Sequence, residues 1–148
     1  MALSGRAEEG RTLMAVDLAL QPAPALPKDG GAEVTAAIDL CAEQLQLMIQ
    51  CLLEREADEF CQESLLLFAA CKERRDNALR TRILEYDRRH GVQVSTLERE
   101  SQEVAQALDR EKQRQGERET LGVVHLTSRL QDLRARIKAL TNGTESTD

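Results

Sequence analysis

The chain has 148 residues, of which 41% are hydrophobic and 31% charged, with a formal net charge of −6 and only three aromatic residues, Phe60, Phe68 and Tyr86. Aromatic side chains normally supply much of a globular core, so a thick core is excluded, and an acidic chain lacks the basic surface that nucleic acid needs in its main partner. No apolar run approaches the roughly 18 residues of a membrane-spanning helix. What remains is a set of helices that bury a narrow stripe and leave their other faces wet.

Residues 1–33 read as a disordered arm. Pro22, Pro24, Pro27 and Asp29-Gly30-Gly31 interrupt a stretch rich in Ala and Gly, which buries too little to offset its ordering entropy. Within it, Leu13 to Leu20 has the pattern of a short amphipathic turn. The arm has no basic segment followed by an apolar one, so no secretory signal is expected. Arg6 and Arg11 fit a mitochondrial presequence, but Glu8, Glu9 and Asp17 do not.

A helix is predicted to start near Thr35, whose hydroxyl can cap free backbone N–H groups. Ile38, Cys41, Leu45, Met48 and Leu52 follow at spacings of three and four, on one face. The four cysteines fall at 41, 51, 61 and 71, and the segments CAEQLQLMIQC and CQESLLLFAAC repeat each other. Counted from the leading cysteine, Glu43 matches Glu63, Leu45 matches Leu65, Leu47 matches Leu67 and Met48 matches Phe68. The spacer LLEREADEF does not share the pattern. It contains no Gly, Pro or Asn and by itself reads as helix.

Beyond Cys71 the sequence KERRDNALRTRILEYDRRHG keeps one thin apolar line, Leu79, Ile83 and Tyr86. Arg88, Arg89, His90 and Gly91 suit a helix end. Ser95 with Glu98 fits a capping box that opens a further helix, and Val104 and Leu108 share a face. From Asp109 to Thr120 the chain is nearly all polar and contains Gly116, which reads as a solvated helix or a break. Val123, Leu126, Leu130, Leu133, Ile137 and Leu140 then alternate at three and four, a coiled-coil seam flanked by Arg129, Arg134, Arg136 and Lys138. Asn142-Gly143 stops the helix. No strand pattern occurs.

Two cysteines ten residues apart on one helix are separated by about 15 Å and about 80°, too far for a disulfide, whose Cα atoms lie within about 7 Å. If residues 41–51 and 61–71 run antiparallel, Cys51 faces Cys61 near the turn and Cys41 faces Cys71 at the open end. Two bridges of about 3 kcal/mol each would support a hairpin with so small a core. The competing reading is four reduced cysteines serving as small hydrophobes on one long cytosolic helix. Zinc ligands typically come in pairs two to four residues apart, and C-x-x-C redox pairs are absent, so neither metal nor cofactor is expected.

CAEQLQLMIQC…CQESLLLFAAC resembles the twin C-x9-C, or coiled-coil-helix-coiled-coil-helix, family over residues 41–71, in cysteine spacing and in the Leu and aromatic positions between. The resemblance implies the pairs Cys41–Cys71 and Cys51–Cys61. It implies residence in the mitochondrial intermembrane space, entry without a cleaved presequence, and trapping by oxidative folding. The charged stretch after Cys71 is also similar to small accessory subunits of respiratory complex I. The adjacent Cys-Cys of the family's copper chaperones is missing, so copper delivery is not implied.

The expected fold is all-α: a disulfide-braced helical hairpin at 34–72, a charged helix at 73–91 and a coiled-coil helix at 95–141, between the arm at 1–33 and a loose tail at 142–148. Carboxylates on such helices are usually solvated or in weak i,i+4 pairs. His90 and His125 read as surface residues, and no phosphate-binding glycine loop occurs, so no catalytic site is expected. Asn142-Gly143-Thr144 matches a glycosylation sequon, a three-residue pattern that often occurs by chance. The expected function is a non-enzymatic interaction protein of the intermembrane space, an assembly factor or accessory subunit of a respiratory or other inner-membrane complex. The alternative is a cytosolic or nuclear coiled-coil subunit of a scaffold or tethering complex, with reduced thiols. In either case the seam Val123, Leu126, Leu130, Leu133, Ile137 and Leu140 is the expected partner-binding face, for a second copy or another protein, because no internal mate is evident.

Overall fold

Leu, Arg, Glu, Gln and Ala dominate the chain from residue 42 onward, and these are the residues that lose least on entering a helix. The computed structural model describes residues 12–116 and 118–144, and among these every regular element is helical. In chain order they are α1 (Ala15–Ala19), α2 (Gly31–Thr35), α3 (Ala42–Arg55), a 3-10 turn (Asp58–Cys61), α4 (Gln62–Arg89), α5 (Val94–Gln115) and α6 (Leu121–Thr144). The fold is all-α, with a disulfide-braced hairpin followed by long helices.

Several boundaries differ from those the sequence predicts. Thr35 closes α2 instead of opening the hairpin helix, and its hydroxyl donates to the Gly31 carbonyl at 2.8 Å. Ala37 and Cys41 then adopt left-handed backbone, φ 60° and 64°, and the Asp39 carboxylate accepts the Cys41 N–H at 2.9 Å. The hairpin helix therefore starts at Ala42. Ile38 leaves the hairpin face and packs with Val34, Leu79, Ile83 and Tyr86.

The spacer after Cys51 turns, although nothing in it is a turn former. Glu56 ends α3 in left-handed backbone, φ 58°, with its N–H on the Leu52 carbonyl, and Ala57 is extended. The contacts that support this turn come from elsewhere in the chain. The Asp58 carboxylate accepts the Ala15 N–H at 2.8 Å, and the Gln62 amide bonds both the N–H and the carbonyl of Leu13, each at 2.8 Å. Residues 13–18 thus lie across the hairpin's closed end, where Leu18 enters the core. The first eleven residues of the expected arm lie outside the described residues.

Helix α4 runs unbroken for 28 residues, so the hairpin's second arm and the charged stretch at 73–91 are one rod. It stops as predicted at Gly91, φ 61°. The Val92 N–H reaches the Asp87 carbonyl and the Gly91 N–H the Arg88 carbonyl, the paired bonds of a Schellman end. Near this end α2 packs on α4. A β-carbon at Gly30 would fall inside the Tyr86 ring, which only glycine permits.

The expected single helix at 95–141 is two. Gly116, φ 69°, breaks it, and α6 folds back along α5. The Ser95–Glu98 capping box does not form, because Gln93 is the N-cap and Ser95 already lies inside α5. The pairing corrects the expected partner face. Val123, Leu130 and Leu133 are buried against Leu97, Val104 and Leu108, and Leu126, Ile137 and Leu140 pack around them. The seam has its mate inside the chain, so it is core rather than a docking surface. The tail's first residues, 142–144, continue α6, and 145–148 lie outside the described residues.

Helix α6 is fastened to α4 by charge. Asp87 is fully buried, and the Arg136 guanidinium donates to both of its carboxylate oxygens at 2.7 Å. Arg80 adds a bond to Asp132 at 3.1 Å. Removing one partner of a buried pair leaves an uncompensated charge, which costs far more than the pair contributes. Arg136→Met is therefore expected to lower unfolding free energy by about 3 kcal/mol, and Asp87→Leu in the same chain to restore most of it, read by urea denaturation.

In the middle of α2, Glu33 accepts from Arg89 and meets His90 Nε2 at 2.9 Å. The His90 hydrogen bond foremost, with Arg89 behind it, holds the Glu33 carboxyl below its ordinary 4.5. A lowered folded-state value means a contribution present above 4.5 and lost as pH falls through the folded value. Glu33→Gln is expected to flatten this part of the acid limb of the thermal stability curve, measured below pH 5.

Candidate functional site: an interaction surface on the disulfide hairpin

The site is built from the repeat. Helix α3 and the first part of α4 run antiparallel, and the equal spacing of their cysteines lets two bridges form together. Cys41 is bonded to Cys71 and Cys51 to Cys61, each with Cα atoms 5.9 Å apart. Met48, Leu65 and Phe68 fill the space between, closed on one side by Leu18. Of the matched positions, the cysteines and Met48/Phe68 face inward in both arms, whereas Leu65 is buried and its counterpart Leu45 is exposed, as are Leu47 and Leu67.

The bridges differ in access. Cys41 and Cys71 are 0% and 3% exposed, and the Cys71 sulfur lies 3.7 Å from the Asp39 carboxylate. In the other bridge Cys61 is buried as well, at 2%, but Cys51 is partly exposed beside the turn. Asp39, Cys41 and Cys71 form the one group among the described residues with metal-ligand proximity, and both sulfurs there are committed to the S–S bond.

The outward faces of both hairpin arms carry uncovered apolar residues. Leu45, Ile49 and Leu53 form an i, i+4, i+8 row along α3, and Leu53 is 75% exposed. Leu47 lies on the other shoulder of α3, Leu66 and Leu67 project from α4, and Phe60 stands 70% exposed at the turn. Scattered exposed apolar residues are ordinary, but a contiguous row such as Leu45–Ile49–Leu53 marks an interaction surface. In the α5–α6 pair, the only large hydrophobic residue comparably exposed among the described residues is Leu121.

Charge follows the same division. From residue 40 to 71 there are six carboxylates (Glu43, Glu54, Glu56, Asp58, Glu59 and Glu63) and one base, Arg55. That segment alone carries −5 of the chain's −6. Three of the acids, Glu54, Glu56 and Glu59, are exposed at or beside the closed end.

The chain belongs to the DUF7803 family. Its model, described as a domain of unknown function, matches residues 5–148, so hairpin and α5–α6 pair fall within one family unit. No curated protein and no solved structure matches the chain.

A second concavity, about 490 Å³, lies between Pro24–Lys28 and helices α4, α5 and α6. Its polar wall includes the cross-helix ion pairs Arg80–Asp132 and Arg129–Glu100, which satisfy each other, beside apolar residues such as Leu26, Ile83 and Leu133. The two histidines sit apart from both features. His90 stacks on Tyr86, with ring centroids 4.2 Å apart, and is exposed with Glu33; His125 lies exposed on α6.

Sequence reasoning places Leu45, Met48, Leu65 and Phe68 between the bridges; Met48, Leu65 and Phe68 are there, and Leu45 instead lies exposed on the outer face of α3. That reasoning missed the outer apolar row, although Leu45, Ile49 and Leu53 at a spacing of four were readable. With Met48 and Leu52 also apolar, α3 carries more hydrophobic residues than one face can bury, and that surplus was the available signal.

A soluble reductant attacks the sulfur it can reach. Under native conditions a phosphine is expected to open Cys51–Cys61 well before Cys41–Cys71. Timed alkylation with peptide mapping should label positions 51 and 61 first.

Proposed function

We propose that this protein is a non-enzymatic interaction protein of the mitochondrial intermembrane space, an assembly factor or accessory subunit of a respiratory or other inner-membrane complex. The observation that carries the reading is the pair of nested bridges across two arms of equal C-x9-C spacing. This is the pairing that the resemblance to the twin C-x9-C family implies, and the family reading joins stable disulfides to an oxidising compartment. Interaction, rather than catalysis, is supported by what the bridges hold up: a rigid hairpin whose outer side is apolar and acidic. The working surface on this reading is the hairpin and not the α6 seam, which is already occupied by α5. No described helix is long and apolar enough to cross a membrane, so attachment to an inner-membrane complex would run through protein contacts.

Two measurements test this. Protein taken directly from cells, denatured without reductant and alkylated, is expected to gain no alkyl groups. In fractionated cells the protein should resist protease in intact mitochondria and be digested once the outer membrane is ruptured. Four added alkyl groups, or recovery in the cytosol, would overturn the assignment in favour of a scaffold subunit with free thiols.

A further inference from the structure

We propose that the Leu45–Ile49–Leu53 row docks an amphipathic helix of a partner protein, one that carries lysine or arginine clustered at the end lying over the hairpin's turn. The inference rests on the interaction reading above and names the partner's chemistry.

Shape selects a helix. The three residues form one i±4 ridge about 12 Å long, bordered by the parallel row Gln46, Gln50 and Glu54. A ridge of this kind packs into the groove of another helix, and an apolar face read at i, i+3, i+4 and i+7 is the usual complement. The surface is also prepared rather than induced, since both bridges fix the backbone beneath it. Preorganisation of that sort lowers the ordering cost of association.

Charge selects the partner. The row ends at Leu53, beside Glu54, and the turn beyond it adds Glu56 and Glu59. Among the described residues no base pairs with Glu54, whose carboxylate accepts from the Gln50 amide at 3.3 Å. Arg55 is the only cation from residue 40 to 71. A basic helix end placed there gains complementary potential, which governs encounter and orientation.

The same charges disfavour the other occupants. A second copy packed antiparallel across a two-fold axis would bring the acidic turn of each chain against Asp39 and Glu43 at the start of the other's α3, like against like at both ends. An anionic lipid surface attracts basic segments and would meet −5 here.

The test uses the full, oxidised chain and two fluorescent peptides of about five helical turns. Both carry the same Leu/Ile face. One has four lysines in a terminal turn, the other four glutamates. By fluorescence anisotropy the lysine peptide is expected to bind at least about tenfold more tightly, with the advantage shrinking as salt is raised. Ile49→Ser should weaken it about tenfold. Glu54→Lys with Glu56→Lys should reverse the preference between the peptides, a result that altered folding cannot mimic. Equal affinity for the two peptides, or no binding of either, overturns the proposal. So does a dimer in sedimentation that Ile49→Ser dissolves, or flotation with phosphatidylcholine vesicles containing phosphatidylserine. These readouts are separate from thiol counting and fractionation. If the peptides fail while the bridges and the compartment hold, the docking surface is wrong and the broader reading stands.

Discussion

Two antiparallel helical arms of about ten residues bury too little apolar surface to hold each other in water. The bonds Cys41–Cys71 and Cys51–Cys61 remove that requirement, because the arms stay paired whatever their contact area contributes. Each bridge, acting alone, stabilises by about 3 kcal/mol through the chain entropy it removes, and the second to close contributes less, since the first has already shortened its loop. With pairing secured covalently, the hairpin core shrinks to Met48, Leu65, Phe68, Leu18 and the cysteines themselves. The leucines that this core does not use remain free for the outer surface.

Everything after the bridges depends on α4. Its first turns belong to the hairpin and its last to a separate cluster with Val34 and Ile38, while its final carboxylate, Asp87, holds α6 through Arg136. One continuous helix of about 42 Å therefore joins a covalent unit to a non-covalent one. The α5–α6 pair completes itself through the Leu97–Leu133 seam and needs α4 chiefly for position.

The sequence made some of this legible and concealed the rest for identifiable reasons. The repeated cysteines and the Met48/Phe68 pair mark the hairpin's inner side directly, whereas the repeated leucines divide: Leu65 is buried and Leu45, Leu47 and Leu67 face outward. Gly91 likewise marks its helix end, since only a left-handed residue can terminate that turn cheaply. The turn at Glu56–Cys61 was hidden because its causes are distant: Leu13 and Ala15 hold Gln62 and Asp58 in place, and no pattern within LLEREADEF records that. The internal mate of the α6 seam was hidden because α5 shows only Leu97, Val104 and Leu108, with Ser101 between, a stripe too thin to declare itself. Asp87 looks in sequence like any solvated acid in a charged run, and only the approach of α6 takes it out of water.

The break at Gly116 and the unbroken α4 together give the molecule two kinds of durability. The hairpin's arms stay tethered through any condition that leaves sulfur–sulfur bonds intact, including those that dissolve the α5–α6 seam. The α5–α6 pair has no such covalent insurance, and it yields to denaturant, acid or loss of one buried ion pair. The two ends of the chain thus report on different chemistries of their surroundings: one on thiol balance, the other on solvent and charge.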